Sequence, residues 1–166
     1  MKTEPKVLVI LGSAADESYT TKCLEFLRAM EIPFLVRVAS AHRSPDRLRS
    51  ILKEYQSAKV ILAFAGHAAH LAGVIASESI LPVVAVPLPT SDLKGLDSLL
   101  SSVQMPGGIP VATMAIGEAG AQNAAIFAAE ILSLSDQILV EKIRNFRKDL
   151  IKKVEKGSEE IEKKWH

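Results

Sequence analysis

Ser40-Ala41-His42-Arg43-Ser44-Pro45 decides how the chain folds around it, because two different patterns meet at this stretch. Before it, residues 34–39 form an apolar run with β-branched side chains, which predicts a buried strand. After it, Ser44 suits a helix N-cap and Pro45 the first helical position. Apolar residues then recur at helical spacing, at Leu48, Ile51, Leu52 and Tyr55. We therefore predict a tight strand-to-helix turn that holds an imidazole and a guanidinium beside the positive end of a helix.

This turn has two interpretations. His42 and Arg43 can together bind an anion and move a proton, because backbone N–H groups and the helix end favour negative charge there. Alternatively, the turn is simply capped, with a surface arginine and a hydrogen-bonded histidine. The turn alone does not decide between them.

Composition predicts one domain over residues 1–166, with a core of about 6–134 and a helical extension of about 135–166. The chain is 48% hydrophobic and 23% charged, which is typical of a globular protein rather than a disordered one. A net charge of +1 argues against nucleic acid or a membrane surface as a partner. No apolar stretch reaches the length needed to span a membrane.

The cysteine content favours a reducing, cytoplasmic setting, because Cys23 is the only cysteine and cannot form an intrachain disulfide. It lies in a helical pattern and is interpreted as structural. Residues 1–5 lead directly into the first strand without a long apolar segment or cleavage site, so we expect no signal peptide.

Short apolar strands alternate with helical segments along the chain. This alternation predicts a three-layer α/β/α sandwich with a parallel sheet and right-handed crossovers. In such a sheet, ligands bind beyond the carboxyl ends of the strands. The predicted strands are 7–11, 34–39, 60–65, 83–86 and 111–115, and the loops expected to converge at that edge are 12–16, 40–43, 66–70 and 87–92.

The segment from about residue 135 predicts an amphipathic helix, with Gly157 as an interruption. A helix facing the core would explain the pattern. Its length beyond the five strand–helix units favours packing across a subunit boundary instead. No sustained heptad repeat indicates a coiled coil.

Two further motifs are ambiguous by themselves. The 12–16 loop lacks the patterns of a P-loop or a dinucleotide fingerprint. Ser13 can bind phosphate or carboxylate, and Asp16 can accept from sugar hydroxyls or cap the next helix. His67 and His70 are three residues apart at a predicted helix start, which suggests a shared face. No acidic residue has matching ligand spacing, so we predict no metal site.

Taken together, these strings resemble the small aminoimidazole ribonucleotide carboxylase/mutase family of purine biosynthesis, over about residues 7–134. The strings that carry the resemblance are Gly12, Ser13 and Asp16, SAHRSP at 40–45, AGHAAHLAG at 65–73, LPVVAVP at 81–87, LDSLLSSVQMPGGIPVAT at 96–113 and AIGEAGAQNAA at 115–125.

The resemblance implies a flavodoxin-like fold assembled as a homo-octamer. It also implies conversion of N5-carboxyaminoimidazole ribonucleotide to 4-carboxy-5-aminoimidazole ribonucleotide through enclosed CO2, without ATP, metal or organic cofactor. By position, His42 matches the general acid/base, Ser40 and Arg43 the phosphate contacts, and Asp16 the ribose contact. The substrate-binding residues carried over in this way are Ser13, Asp16, Ser40, Ala41, Arg43, Ala65, Gly66, His67, His70 and Leu71.

Three departures distinguish this chain from the family pattern. Phe64 and His67 replace the outer glycines of a usual Gly-Ala-Gly-Gly loop, which introduces bulk and a titratable ring where backbone is usually bare. Ala15 replaces a common serine, and Ala72 a usual proline.

The resemblance leaves two alternatives to the mutase. Class II members carboxylate aminoimidazole ribonucleotide directly with CO2 and carry a cationic side chain after the loop glycine, as His67 would be. SAHR and the long DSLLSSVQMP string favour class I, the mutases. A non-catalytic nucleotide-binding paralogue is the other alternative.

Overall fold

The protein is described here from a computed structural model that covers residues 4–166. Most of residues 1–5, where we expect no signal peptide, therefore lies outside the described part. Five parallel strands form one sheet in the order β2-β1-β3-β4-β5. The strands are β1 Val7–Leu11, β2 Phe34–Val38, β3 Val60–Ala65, β4 Val83–Pro87 and β5 Ala112–Thr113. The helices are α1 Thr21–Ala29, α2 Pro45–Glu54, α3 Leu71–Glu78, α4 Leu96–Val103, α5 Glu118–Ser133 and α6 Gln137–Trp165, with a 3₁₀ helix at Ala14–Tyr19.

Helices cover both faces of the sheet, as the alternating pattern predicts. Residues of α1, α5 and α6 share one buried cluster with alternate residues of β1, β3 and β4. Residues of α2 and α3 share a second cluster with the intervening strand residues. The chain is thus the predicted three-layer α/β/α sandwich.

The fifth strand is shorter than predicted, with two residues instead of residues 111–115. It lies at the edge of the sheet and pairs only with β4. Pro110 just before it has no amide hydrogen to donate to a ladder. At its other end the Gly117 amide donates to the Pro87 carbonyl at 2.9 Å, which turns the chain into α5.

Helix α5 packs closely because its inner face is made of alanine. Ala121, Ala124, Ala125, Ala128 and Ala129 are all fully buried. Such small side chains let the backbones of neighbouring elements approach this helix closely.

Helix α4 has its polarity reversed. Ser98 and Ser102 face inward and are buried, and Ser98 Oγ lies 3.0 Å from the Leu88 carbonyl oxygen. Leu96 and Leu100 on the same helix are 53% and 48% exposed. Burial of apolar area is the main stabilising term in folding and association, so a leucine face left in water is a surface that a partner would cover.

Helix α6 runs without a break through Gly157, so the predicted interruption is wrong. A single glycine costs a helix only about 1 kcal/mol, and the residues around it are mostly strong helix formers. A local contact also spans the position, since Lys156 Nζ lies 3.9 Å from Glu160 Oε1. Within residues 4–166, no helix, α6 included, is both long and apolar enough to cross a membrane.

Candidate active site

Four loops meet in one cavity of about 580 Å³ at the carboxyl edge of the sheet. β1 lies between β2 and β3, so the order in which the chain adds strands to the sheet reverses there, and open α/β sheets bind ligands at such a point. The convergence expected from the strand pattern is therefore confirmed. The lining residues are Gly12, Ser13, Ala15, Asp16, Ser40, Ala41, His42, Arg43, Ala65, Gly66, His67, Ala68, Ala69, His70, Leu71 and Thr90.

The loop after β1 is held by a reciprocal cap. The Ser13 amide donates to Asp16 Oδ2 at 2.9 Å, and Ser13 Oγ accepts from the Ala15 amide at 3.4 Å. Asp16 thus caps the 3₁₀ helix, which was one of its two interpretations, and it also borders the cavity. Burial raises the pKa of Asp16, while the Ser13 hydrogen bond and the charges of Arg43 and His67 act in the opposite direction.

The raised pKa of Asp16 predicts how stability changes with pH. A carboxyl group whose pKa is raised by folding stabilises the protein fully below its unfolded-state pKa, about 3.9. That contribution is lost as pH rises through the raised value. Asp16→Asn removes the charge and keeps an oxygen that can accept from Ser13. We expect the variant to melt at a higher temperature than wild type at pH 7, with a difference that shrinks towards pH 4. Equal melting temperatures across this range would contradict the expectation.

The loop after β2 is cross-linked by its two serines. Ser40 Oγ accepts from the Arg43 amide at 3.2 Å, and the Ser40 amide donates to Ser44 Oγ at 2.9 Å. Ser44 stands at the predicted N-cap position, but its side chain makes this bond instead of capping α2. The loop is therefore a braced turn that holds His42 and Arg43 with exposed side chains at the cavity.

His42 and His70 are in direct contact. His42 Nε2 lies 2.8 Å from His70 Nδ1, and the two rings meet edge to face at 84° with centroids 5.0 Å apart. At this distance one nitrogen donates and the other accepts, so the pair shares one proton between two bases. Such a pair can hold a proton between the two rings and exchange it with a third group.

His67 and His70 do not share a helix face, contrary to the prediction. His70 is the N-cap of α3, whereas His67 lies three residues earlier in a turn with φ of 52°. The His67 ring is turned towards the loop after β4, with Nδ1 3.2 Å from Thr90 Oγ1. Two histidines of one short loop therefore contact different neighbours, one at each side of the cavity.

Thr90 is a site residue that was missed from the sequence as an individual position. The loop that contains it, 87–92, was expected at this edge because it follows β4. Its side chain lies over Gly66, where an added Cβ would come within 1.7 Å of Thr90 Oγ1. The β3 and β4 loops consequently touch each other through Gly66, His67 and Thr90.

The residues that depart from the family pattern at positions 64, 15 and 72 lie in different places relative to the cavity. Phe64 is fully buried in the cluster that contains α1 and α5, and it does not line the cavity. The bulk expected at the site is therefore in the core, and of the two loop substitutions only His67 changes the cavity wall. Ala15 lines the cavity and offers no hydroxyl, whereas Ala72 is buried.

Titratable groups elsewhere add nothing to this site. Among residues 4–166, no three or more histidine, cysteine or carboxylate side chains are grouped so that they could hold a metal ion. Cys23 is buried, and burial raises the pKa of its thiol to about 12, which fits the structural interpretation.

Known proteins share both the sequence and this fold. A profile of the family described as AIR carboxylase matches residues 6–153. A Saccharolobus solfataricus protein named N5-carboxyaminoimidazole ribonucleotide mutase is 49% identical, over 88% of this chain and 92% of that protein. An Escherichia coli K12 protein of the same name is 45% identical, over 86% of each. The crystal structure of Treponema denticola PurE superposes with a TM-score of 0.83 at 28% identity, over 92% of this chain and 95% of that one.

Proposed function

This chain belongs to the AIR carboxylase family, and on that premise we propose that it interconverts N5-carboxyaminoimidazole ribonucleotide and 4-carboxy-5-aminoimidazole ribonucleotide. This makes it an isomerase of purine biosynthesis. The observation that carries the proposal is the sequence match, at 44% to 49% identity, to proteins named for this mutase over most of the chain. The His42–His70 pair in the cavity supports it with chemistry that the reaction needs.

In the proposed mechanism His42 moves the proton. The carbamate nitrogen–carbon bond of the substrate breaks, and CO2 is released beside the imidazole ring as that nitrogen gains a proton. The ring carbon then attacks CO2, and the proton on that carbon must leave. One group that both gives and takes a proton near neutral pH suits a histidine. The contact with His70 Nδ1 holds the His42 ring in one orientation for both transfers.

The cavity also supplies binding groups at separate places. Arg43, braced by Ser40, offers a planar set of donors for the phosphate. The Asp16 carboxylate is placed to accept from ribose hydroxyls. Ser13 and His70 stand beside the space for the transferred carboxyl group. Apolar wall comes from Ala41, Ala65 and Leu71. Holding CO2 against its acceptor in a pocket closed to water is a proximity effect.

Direct carboxylation of aminoimidazole ribonucleotide is the second candidate, and His67 is the observation that favours it. Its imidazole lines the cavity and lies in the fields of two carboxylates, Asp16 and Asp97. A cation at this place would attract a carboxylate or bicarbonate. The mutase is preferred because relatives at 49% and 45% identity carry that name.

One comparison separates the candidates. We expect purified protein to convert N5-carboxyaminoimidazole ribonucleotide at least tenfold more efficiently than aminoimidazole ribonucleotide with dissolved CO2, a difference of about 1.4 kcal/mol in transition-state stabilisation. The reverse order would make the protein a direct carboxylase, and His67→Asn should then abolish that activity. Conversion of neither, with nucleotide binding intact, would leave a non-catalytic paralogue.

We further propose that the chain forms one domain, with a core of residues 6–134 and an extension of 135–166, and assembles as a homo-octamer in the cytoplasm. The exposed leucine face of α4 supports assembly, because it gives the domain an apolar surface with buried serines behind it. The single, buried cysteine suits a reducing compartment. Light scattering of the purified protein measures the mass of the assembly and so tests the proposed octamer directly.

A further inference from the structure

The long helix α6 carries an apolar stripe with an 11-residue repeat. Leu139, Leu150 and Ile161 are 11 residues apart, and so are Ile143, Val154 and Trp165. Eleven residues make just over three full turns of an α-helix, so these side chains lie on one nearly straight face. The repeat differs from the seven-residue repeat of a coiled coil, and no sustained heptad pattern is therefore present in the sequence.

The same face is buried in the first half of the helix and exposed in the second. Leu139 and Ile143 pack into the core. The rings of Phe146 and Phe26 contact each other edge to face, with their centroids 5.1 Å apart. Arg147 Nη2 pairs with Glu130 of α5 at 2.5 Å. Val154 and Trp165 are then 74% and 73% exposed. The family profile ends at residue 153 and so does not reach most of this half.

The exposed half, residues 150–165, is self-complementary when two copies run in opposite directions. About a centre between residues 157 and 158, Val154 of one copy faces Ile161 of the other, and Leu150 faces Trp165. Gly157 and Ser158 meet in the middle. The space around Gly157 is open, since a Cβ built there would have nothing within 4 Å. Because glycine has no side chain, two helices can approach each other closely at this point.

Charge favours this direction over the parallel one. Residues 147–156 carry five cationic and two anionic side chains, whereas residues 157–165 carry three anionic and two cationic ones. An antiparallel pair places the basic segment of each copy beside the acidic segment of the other. A parallel pair would place two basic segments together, which costs free energy.

We propose that the C-terminal half of α6 pairs with the same segment of a second copy, antiparallel and about a two-fold axis between Gly157 and Ser158. This contact is isologous, because both copies contribute the same surface, and a residue pair that forms once across the axis forms a second time with the two copies exchanged. It is independent of the proposed reaction, since residues 150–165 do not line the cavity.

Disulfide trapping in the full chain tests both the pairing and its direction. A variant with Val154→Cys and Ile161→Cys should form a covalent dimer under mild oxidation, because each new cysteine faces its counterpart across the axis. Within one helix these positions are seven residues apart, about 10 Å, too far for a bond. Each single variant should stay monomeric on a non-reducing gel. The two-fold axis leaves its cysteine and the same cysteine of the second copy about 10 Å apart along the helix, also too far for a bond.

A matched control uses the opposite face of the same helix. Lys152→Cys with Lys163→Cys places two cysteines level with each other across the same axis but pointing away from the partner, and should not cross-link. Cys23 is buried and present in every variant, so it cancels from the comparison. Dimers from the single variants would show a parallel pair and overturn the proposal, and so would equal cross-linking of the two double variants or no dimer at all.

Activity measured on the same samples keeps the two proposals separate. The reduced double variants should turn over substrate at the wild-type rate. Loss of cross-linking with activity retained would overturn the tail pairing alone. Cross-linking in a protein that converts neither substrate would instead leave the pairing intact and remove the catalytic proposal.

Discussion

Turnover of N5-carboxyaminoimidazole ribonucleotide is expected to fall by about 10²–10⁴-fold when His42 is replaced by asparagine, the range that a lost general acid/base produces. Asparagine keeps a polar planar group on the loop, but its amide is too short to take the place of Nε2, the atom that lies 2.8 Å from His70 in the wild type. It cannot take up and release a proton near neutral pH. Substrate affinity should change little, because the proposed phosphate and ribose contacts come from Arg43, Ser40 and Asp16.

The measurement is kcat with saturating substrate, set beside the Kd from calorimetry on the same preparation. His166→Asn is the matched control, because it removes an imidazole from the far end of α6 and should leave both quantities unchanged. A His42→Asn protein that retains a tenth or more of wild-type kcat would remove His42 from the proposed mechanism. A large loss of affinity with kcat preserved would make His42 a binding residue instead.

Gly66→Ala is expected to lower kcat/KM by about 10²-fold, the scale of a displacement of roughly 1 Å in an active site. An alanine Cβ would stand 1.7 Å from Thr90 Oγ1 and 2.9 Å from Thr90 Cβ. Rotation of the threonine relieves the first overlap but not the second, so the β3 and β4 loops must separate. Because His67 is bonded to Thr90, the cavity wall moves with them.

Gly107→Ala provides the control for this effect, since a Cβ there has nothing within 4 Å. We expect its kcat/KM to equal that of wild type. Thermal melting of both variants separates a local displacement from loss of folding. Unchanged kcat/KM in a folded Gly66→Ala protein would show that the contact with Thr90 does not set the geometry of the site.

The sequence was sufficient to predict where the site lies, because strand position determines it. Four apolar runs gave four parallel strands, and parallel strands bring the loops at their carboxyl ends to one edge. The sequence could not show that His42 touches His70, since 28 residues separate them and the contact depends on how two loops are folded. Thr90 was missed for the same reason, because only the backbone path over Gly66 brings it to His67.

The burial of Phe64 on the side of the sheet away from the cavity follows from a pattern in the sequence, the alternation of side chains along β3. Side chains alternate across a strand, so Leu62 and Phe64 face one side of the sheet while Ala63 and Ala65 face the other. Ala65 lines the cavity, and Phe64 therefore points into the opposite layer. The errors at Gly157 and in β5 have other causes. Strong helix formers around Gly157 outweigh the cost of one glycine, and the edge position of β5 limits its pairing to one neighbour.

The reversed polarity of α4 has a thermodynamic consequence. A helix that keeps its serines inside and its leucines outside stabilises an isolated subunit less than the usual arrangement would. If assembly covers that face, the native state gains free energy by mass action, and folding and association become one linked equilibrium. The midpoint of unfolding in denaturant should then rise with total protein concentration, so a single value for the stability of this protein has meaning only beside the concentration at which it was measured.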